Sequence, residues 1–289
     1  MMSGLLYWLV IKPISLLPYP VLYAFSDFFY VILYHLVGYR KKVVRGNLMQ
    51  SFPQKTRLER STIEKAFYRH FCDLVLESLK NFSIGENDIR KRFTHRGTEI
   101  LDRLHSQGKS AILVGGHYGN WELWAVSAPP HFRHKLMAIY KRLSNPFFDK
   151  KMRQTRGRFG LELVSTRETA TWLKEHQAEL FMSVFAIDQS PSNPHKAHWI
   201  DFMGQETAAL FGTEKYAKEF NLPIVFGHLR KDSRGMYSID YELFTENPRD
   251  FPHGELTQQL NKILETDIQK DPRYWLWTHK RWKHRRPTD

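Results

Sequence analysis

A histidine and a glutamate lie five positions apart in the stretch ILVGGHYGNWEL, residues 112–123. An apolar run comes first, Gly115 and Gly116 allow a sharp turn, and His117 then precedes a helix that we expect to begin near Asn120. In an open α/β sheet, ligands bind at the carboxyl ends of the strands, and this turn is expected to place the histidine there. The pair is compatible with catalysis, with a metal site, or with a structural turn.

Glu122, in the first turn of the predicted helix, could accept a hydrogen bond from one ring nitrogen of His117 and leave the other nitrogen as a general base. The sequence has no G-x-S-x-G nucleophile elbow, P-loop, dinucleotide fingerprint or H-E-x-x-H motif. A base without its own nucleophile suits a reaction in which a substrate hydroxyl attacks an activated acyl group. Two alternatives stay open: Glu122 complements the helix dipole beside an exposed histidine, or a metal site includes His131 and His134.

Charge and composition limit the class of protein. Lys and Arg number 43 against 30 Asp and Glu, so the formal net charge is +13, and a surface this basic attracts nucleic acid, an anionic bilayer or a phosphorylated substrate. The mean hydropathy of -0.49 argues against a polytopic membrane protein. The single cysteine, Cys72, excludes an intramolecular disulfide and a cysteine-based zinc cage, and we expect it to be a small buried residue.

The N-terminal region is apolar and rich in aromatic residues. Between residues 5 and 39 the only formal charges are Lys12 and Asp27, and prolines interrupt the stretch. Basic residues follow immediately, among them Arg40, Lys41, Lys42 and Arg45. We predict that residues 1–45 form a membrane-associating helical region that either lies in the interface or crosses the bilayer once. The alternative is a helical hairpin that is buried against the rest of the protein.

The remaining chain alternates helical and apolar patterns. Residues 57–80 carry apolar side chains at spacings of three and four, which predicts an amphipathic helix. Short apolar runs then alternate with predicted helices, one of them over residues 207–220. This order predicts an α/β fold with a mixed central sheet flanked by helices. Because no repeat or linker interrupts it, we expect residues 46–289 to form one catalytic domain.

Six stretches along the chain agree in order and spacing with one family. They are VVRGNLMQSFP at 43, GGHYGNWE at 115, YKRLSNPFFDKKMRQTRGRFG at 140, AIDQSP at 186, DFMGQETAALFGTEKYAKEFNLPIV at 201 and DPRYWLWTHKRWKHRRP at 271. In these stretches the sequence resembles the bacterial lipid A late acyltransferase family, within the lysophospholipid acyltransferase superfamily. Tyr140-Lys141-Arg142 departs from the Tyr-Arg-Pro of many relatives, so the resemblance says less about the substrate than about the reaction.

The resemblance implies that His117 is the general base of an O-acyltransferase, that Glu122 is its partner and that no metal or cofactor takes part. It also implies a set of substrate-binding residues, namely Asn120, Lys141, Arg156, Arg158 and Asp188. The donor would be an acyl thioester of acyl carrier protein or of CoA, and the acceptor a hydroxyl of a lipid A precursor. The enzyme would act at the cytoplasmic face of the bacterial inner membrane.

Some alternatives remain at this point. The acceptor could be a lysophospholipid, an aminolipid or another glycolipid, and a non-catalytic protein of the membrane surface would also be basic and apolar in these places. Near the C-terminus, Trp275, Trp277 and Trp282 alternate with Lys and Arg. Beside a membrane-associating region, this pattern predicts a surface for an anionic headgroup or a phosphorylated glycolipid rather than for nucleic acid.

Overall fold

A seven-stranded sheet forms the centre of the protein in the computed structural model, which describes residues 2–287. Its strands are β1 (Phe93–Arg96), β2 (Ala111–Gly115), β3 (Lys135–Tyr140), β4 (Glu162–Ser165), β5 (Phe181–Ala186), β8 (Ile224–Ser233) and β9 (Met236–Thr245), while β6 (His198–Phe202) and β7 (Gln205–Ala209) form a separate ribbon. The strand order is β1-β9-β8-β2-β5-β3-β4, with β8 antiparallel to β9 and the other neighbours parallel. The predicted mixed sheet is therefore confirmed.

Helices flank this sheet. They are α1 (Met2–Leu16), α2 (Tyr19–Val37), α3 (Lys41–Ser51), α4 (Arg57–Lys80), α5 (Glu86–Arg92), α6 (Thr98–Ser106), α7 (Trp121–Ser127), α8 (Pro146–Arg156), α9 (Thr169–Glu175), α10 (Gly212–Phe220) and α11 (Glu255–Lys270). The helix predicted over residues 57–80 is confirmed. It begins with a capping box, in which the Thr56 hydroxyl accepts from the Glu59 amide and the Glu59 carboxylate accepts from the Thr56 amide.

The helix predicted over residues 207–220 is wrong in its first part. Residues 205–209 instead form β7, which pairs antiparallel with β6, and α10 begins only at Gly212. Met203 and Gly204 connect the two strands, both with positive φ (57° and 69°), as a two-residue hairpin turn requires. Gly204 is the one residue of this pair that favours positive φ, so the local signal for the hairpin was weak.

The N-terminal helices pack on the domain through one face only. α2 runs antiparallel to α4: the Tyr23 hydroxyl donates to Glu77, and the Ser26 hydroxyl donates to Asp73. Its other face is open, with Phe28 63 % and Leu36 77 % exposed. By length and composition α2 could cross a membrane. The predicted boundary at residue 45 falls inside α3.

Two of the three C-terminal tryptophans, Trp275 and Trp277, do not lie on the predicted surface, while Trp282 is half-buried. Trp275 and Trp277 are completely buried, and so is Arg281. Burial leaves neither indole N–H unpaired, because Asp188 accepts from Trp275 and the Pro272 carbonyl accepts from Trp277. These two tryptophans are thus part of the core, and Trp275 packs beside the turn that follows β2.

Candidate active site

The turn between β2 and α7 carries His117 to the carboxyl edge of the sheet. A Cβ atom at Gly116 would lie 2.7 Å from the Leu264 side chain, which would have to shift, and Gly119 has a φ of +59°. Asn120 ends the turn as the N-cap of α7, since its Oδ1 accepts a hydrogen bond of 2.8 Å from the Leu123 amide. The expected strand–turn–helix around His117 is confirmed.

Asp188 is the hydrogen-bond partner of His117. The Nδ1 atom of His117 lies 2.7 Å from Asp188 Oδ1, and the His117 backbone amide donates to Oδ2 at 2.8 Å. The Trp275 indole also donates to Oδ2, at 2.8 Å. Since β5 lies beside β2 in the sheet, the loop after β5 brings Asp188 to the same edge as His117.

These contacts select one tautomer of the imidazole. A carboxylate that faces Nδ1 requires the proton there, so the neutral ring has an unprotonated Nε2. The side-chain nitrogen of Gln189 lies 3.2 Å from this Nε2, at hydrogen-bond distance for an amide donor. His117 is therefore held with its basic nitrogen away from Asp188, in the arrangement that a general base needs.

Charge and burial act in opposite directions on this pair. Burial alone would lower the pKa of His117, but the charge and hydrogen bond of Asp188 outweigh it and raise that pKa above its ordinary value. Burial would raise the pKa of Asp188, but His117 and the hydrogen bonds to Asp188 lower it to about 2. Asp188 consequently stays ionised while His117 titrates.

The hydrogen bond predicted between His117 and Glu122 is not formed. Glu122 instead forms a bidentate ion pair with Arg156, with Arg156 Nε 2.9 Å from Oε2 and Nη2 2.5 Å from Oε1. The guanidinium offers two parallel N–H donors to the carboxylate, which one imidazole nitrogen cannot match. Burial would raise the pKa of Glu122, but Arg156 outweighs it and that pKa is lowered. Glu122 thus holds Arg156 beside His117.

His117 lies where two cavities meet. The first has a volume of about 150 Å³ and an apolar wall that includes Leu113, Ala138 and Leu163. The second has a volume of about 450 Å³ and a more polar wall that includes Lys141 and Gln189. Six residues line both, namely His117, Ile139, Tyr140, Arg156, Phe185 and Ala186. The imidazole and the guanidinium therefore face the junction between an apolar compartment and a more polar one.

The other predicted substrate-binding residues separate into two groups. Lys141 lines the second cavity with an exposed side chain. Asn120 is completely buried and bonded to Leu123 and Glu77, while Arg158 donates to the Ile84 carbonyl. Within residues 2–287, neither Asn120 nor Arg158 lines the two cavities that meet at His117. Both residues make contacts within the protein, and their contact with substrate stays a prediction.

Two residues of the site were not predicted, Gln189 beside His117 Nε2 and Trp275 beside Asp188. Gln189 directly follows Asp188 at the end of an apolar run, so its position after a strand was a local signal. Trp275 had no local signal, because its role depends on a C-terminal segment that folds back across the turn.

Comparisons with known proteins agree with this chemistry. The chain is 26 % identical over 97 % of its length, and 91 % of the relative's, to a lipid A biosynthesis acyltransferase of Haemophilus influenzae. It is 25 % identical to the lipid A biosynthesis palmitoleoyltransferase of Escherichia coli, over 93 % of this chain and 87 % of the relative. It is 24 % identical to the lauroyltransferase of the same organism, over 96 % and 89 %. The profile of the bacterial lipid A biosynthesis acyltransferase family matches residues 2–284. The chain therefore belongs to this family and is an enzyme that transfers acyl groups.

Proposed function

We propose that the protein moves a fatty acyl chain from an acyl carrier protein thioester to a hydroxyl of a lipid A precursor, with His117 as the general base. The observation that carries this proposal is the position of His117, whose basic Nε2 lies at the junction of an apolar and a polar cavity. The apolar cavity suits an acyl chain, and the polar cavity suits the acceptor. The names of the relatives favour lipid A over another acceptor lipid.

The reaction needs one proton carrier and one group that stabilises negative charge. The acceptor hydroxyl takes the place of the Gln189 amide at His117 Nε2 and gives its proton to that nitrogen as its oxygen attacks the thioester carbonyl. Arg156, held by Glu122, stabilises the resulting oxyanion. The carbon–sulfur bond then breaks, and the leaving thiolate takes the proton back from Nε2. Asp188 stabilises the charged imidazole between the two transfers.

The test of this proposal is an assay with purified enzyme, acyl carrier thioester and a phosphorylated lipid A precursor, followed by mass spectrometry of the lipid. We expect one added acyl group in ester linkage. Transfer to a lysophospholipid or an aminolipid, with none to the precursor, would contradict the choice of acceptor. The lipid profile of a deletion strain compared with the parent checks the same point in the cell.

The apolar cavity predicts control of acyl length. We expect Ala138→Phe to shorten the acyl chain that is transferred, because Ala138 lines this cavity and an added ring would occupy part of its 150 Å³. The measurement is competition between carrier thioesters of different chain lengths, read by mass spectrometry of the product. Ala178→Phe is the control, since Ala178 is exposed on the surface. Equal chain-length selectivity in Ala138→Phe and wild type would mean that this cavity does not bind the acyl chain.

We also propose that α1 and α2 lie on the cytoplasmic face of the inner membrane rather than crossing it. Asp27, near the middle of α2, forms an ion pair of 2.8 Å with Arg234, which is itself 2.7 Å from Asp73 of α4. A spanning helix would carry these charges into hydrocarbon, which is costly. An interfacial helix buries Phe25 and Phe28 in lipid while Asp27 stays bound to the domain.

Removing exposed phenylalanines of α2 should weaken this attachment. We expect Phe25→Ser/Phe28→Ser to lower partitioning onto vesicles by at least about 10-fold, because two aromatic side chains no longer leave water. The measurement is co-sedimentation with vesicles that contain anionic lipid. Tyr30→Phe, on the buried face of the same helix, is the control and should bind like wild type. Unchanged partitioning of the double variant would contradict this contact.

A further inference from the structure

A buried carboxylate lies behind the catalytic turn and takes no part in the chemistry proposed above. Glu77 of α4 is only 4 % exposed. Its Oε2 accepts hydrogen bonds of 2.7 Å from Asn120 Nδ2 and of 2.7 Å from the Tyr237 hydroxyl, and its Oε1 accepts one of 2.9 Å from the Tyr23 hydroxyl. Among the described residues no salt bridge involves Glu77, and burial raises its pKa, so its carboxyl group relies on three neutral donors. Each donor comes from a different part of the fold.

The carboxylate decides which way the Asn120 amide points. A carboxylate accepts hydrogen bonds and cannot donate them, so Asn120 must present Nδ2 to Glu77. Oδ1 is then directed to the Leu123 amide at 2.8 Å, where it caps α7. Asn120 lies three residues after His117, at the other end of the same turn. The two hydrogen bonds of the Asn120 side chain thus connect α4 to α7, the helix that carries Glu122.

The same helix and the C-terminal segment hold the rest of this turn. His70, two turns before Glu77 on α4, has its Nε2 3.2 Å from the Gly119 carbonyl oxygen. The Gly119 amide donates to the Tyr274 carbonyl at 3.0 Å, and the His117 carbonyl accepts from the Leu276 amide at 3.2 Å. The turn therefore has anchors on both sides, and Glu77 is a second carboxyl group among them, besides Asp188.

The third donor connects this network to the apolar helix α2. Tyr23 bonds Glu77, whereas Phe25 and Phe28 of the same helix are exposed. A change in how α2 packs on α4 would move the Tyr23 hydroxyl, and Glu77 of α4 contacts both Tyr23 and the catalytic turn.

We propose that Glu77 is a positioning residue for the transfer reaction, and that through Tyr23 it couples the seating of α2 to the geometry of the turn that carries His117. This inference rests on the proposed function, because it takes His117 to be the base. It adds a residue that touches neither substrate nor the reacting atoms. Its contribution is to keep His117, Glu122 and the start of α7 in one arrangement.

The first test exchanges the donor and the acceptor. Glu77→Gln leaves one acceptor oxygen for the three donors Asn120, Tyr237 and Tyr23, and Asn120→Asp places a second carboxylate against Glu77. We expect each single variant to lower kcat between about 10- and 100-fold, since small displacements of catalytic groups have effects of this size, while KM changes by less than about twofold. The double variant Glu77→Gln/Asn120→Asp restores one donor facing one acceptor and keeps an oxygen for the Leu123 amide. It should recover kcat to within about threefold of wild type.

The second test concerns α2, with enzyme bound to vesicles. Tyr23→Phe should lower kcat by about 2- to 10-fold in the wild-type background and have no further effect in Glu77→Gln, because the bond it removes ends at that carboxylate. Tyr30→Phe is the matched control, as it removes a phenol hydroxyl of the same helix that has no hydrogen bond among the described residues. It should leave kcat unchanged in both backgrounds.

The outcomes separate this inference from the proposed function. A fully active His117→Ala would overturn the base assignment and this inference with it. An inactive His117→Ala together with a wild-type kcat in Glu77→Gln would overturn only the positioning role. If Glu77→Gln does not fold, two other results still test the positioning role. A double variant with a kcat no higher than that of Asn120→Asp would contradict it. Equal effects of Tyr23→Phe and Tyr30→Phe on kcat would also contradict it.

Discussion

Replacing His117 with alanine lowers kcat by about 10²- to 10⁴-fold, the range that a positioned general base contributes. The variant loses the imidazole nitrogen proposed to accept the proton of the attacking hydroxyl at the junction of the two cavities. KM for either substrate should change little, because His117 acts in the transition state and contributes little to binding. The measurement is steady-state transfer from an acyl carrier thioester to the lipid A precursor.

The protein contains a matched control for this substitution. His228 has its Nδ1 2.7 Å from Asp267 Oδ2, the same separation as in the His117–Asp188 pair, but it does not line either cavity within residues 2–287. His228→Gln should therefore keep the wild-type kcat. Wild-type turnover in His117→Ala, with folding checked by thermal unfolding, would exclude His117 as the base.

Asp188→Asn should lower kcat by about 10²- to 10⁴-fold although it changes a single atom. In the wild type, Asp188 accepts from three donors, namely the Nδ1–H and the backbone amide of His117 and the Trp275 indole. An asparagine has only one acceptor oxygen. If that oxygen faces the amide and the indole, the new NH₂ group faces Nδ1, and the ring must then carry its proton on Nε2. The base would be protonated at the nitrogen that should receive the proton.

The pH profile distinguishes this effect from a loss of folding. The active form of His117 is neutral, so kcat/KM rises as pH increases through the pKa of His117. Asp188 raises that pKa, and its removal should therefore move the acid limb of the profile to lower pH. Asp267→Asn, at the second histidine–aspartate pair, is the control and should leave both the rate and the acid limb unchanged. An unshifted acid limb in Asp188→Asn would mean that Asp188 does not set the titration of the base.

Glu122 and Arg156 belong to the same site in a different way from His117 and Asp188. Glu122 was expected to orient the imidazole, and in the structure it holds a guanidinium at the cavity wall. The two carboxylates thus have separate partners, Asp188 with the base and Glu122 with the cation. This division supplies both a proton acceptor and a fixed positive charge, which an acyl transfer with an oxyanion intermediate needs.

Local patterns were sufficient for much of the scaffold. The helix from Arg57 to Lys80 follows from its apolar spacing and its capping box, because both depend on residues no more than four positions apart. The turn after β2 follows from its glycines and from Asn120, whose conformational and capping preferences are properties of single residues. These preferences also placed His117 at the edge of the sheet, where the structure has it.

Only the tertiary structure decided the partners of the side chains that we propose as catalytic. Asp188 is 71 positions from His117, and the two meet because β5 lies beside β2, an order that is set by the crossovers of the whole sheet. Glu122 is far closer in sequence, yet α8 brings Arg156 to it and the charge pair is the better hydrogen-bond match. A hydrogen bond requires that donor and acceptor be placed to within a few tenths of an ångström, whereas sequence spacing specifies only which residues share an element. The reaction class could therefore be predicted from the sequence and its family. The separate roles that we propose for His117, Asp188, Glu122 and Arg156 could be assigned only from the tertiary structure.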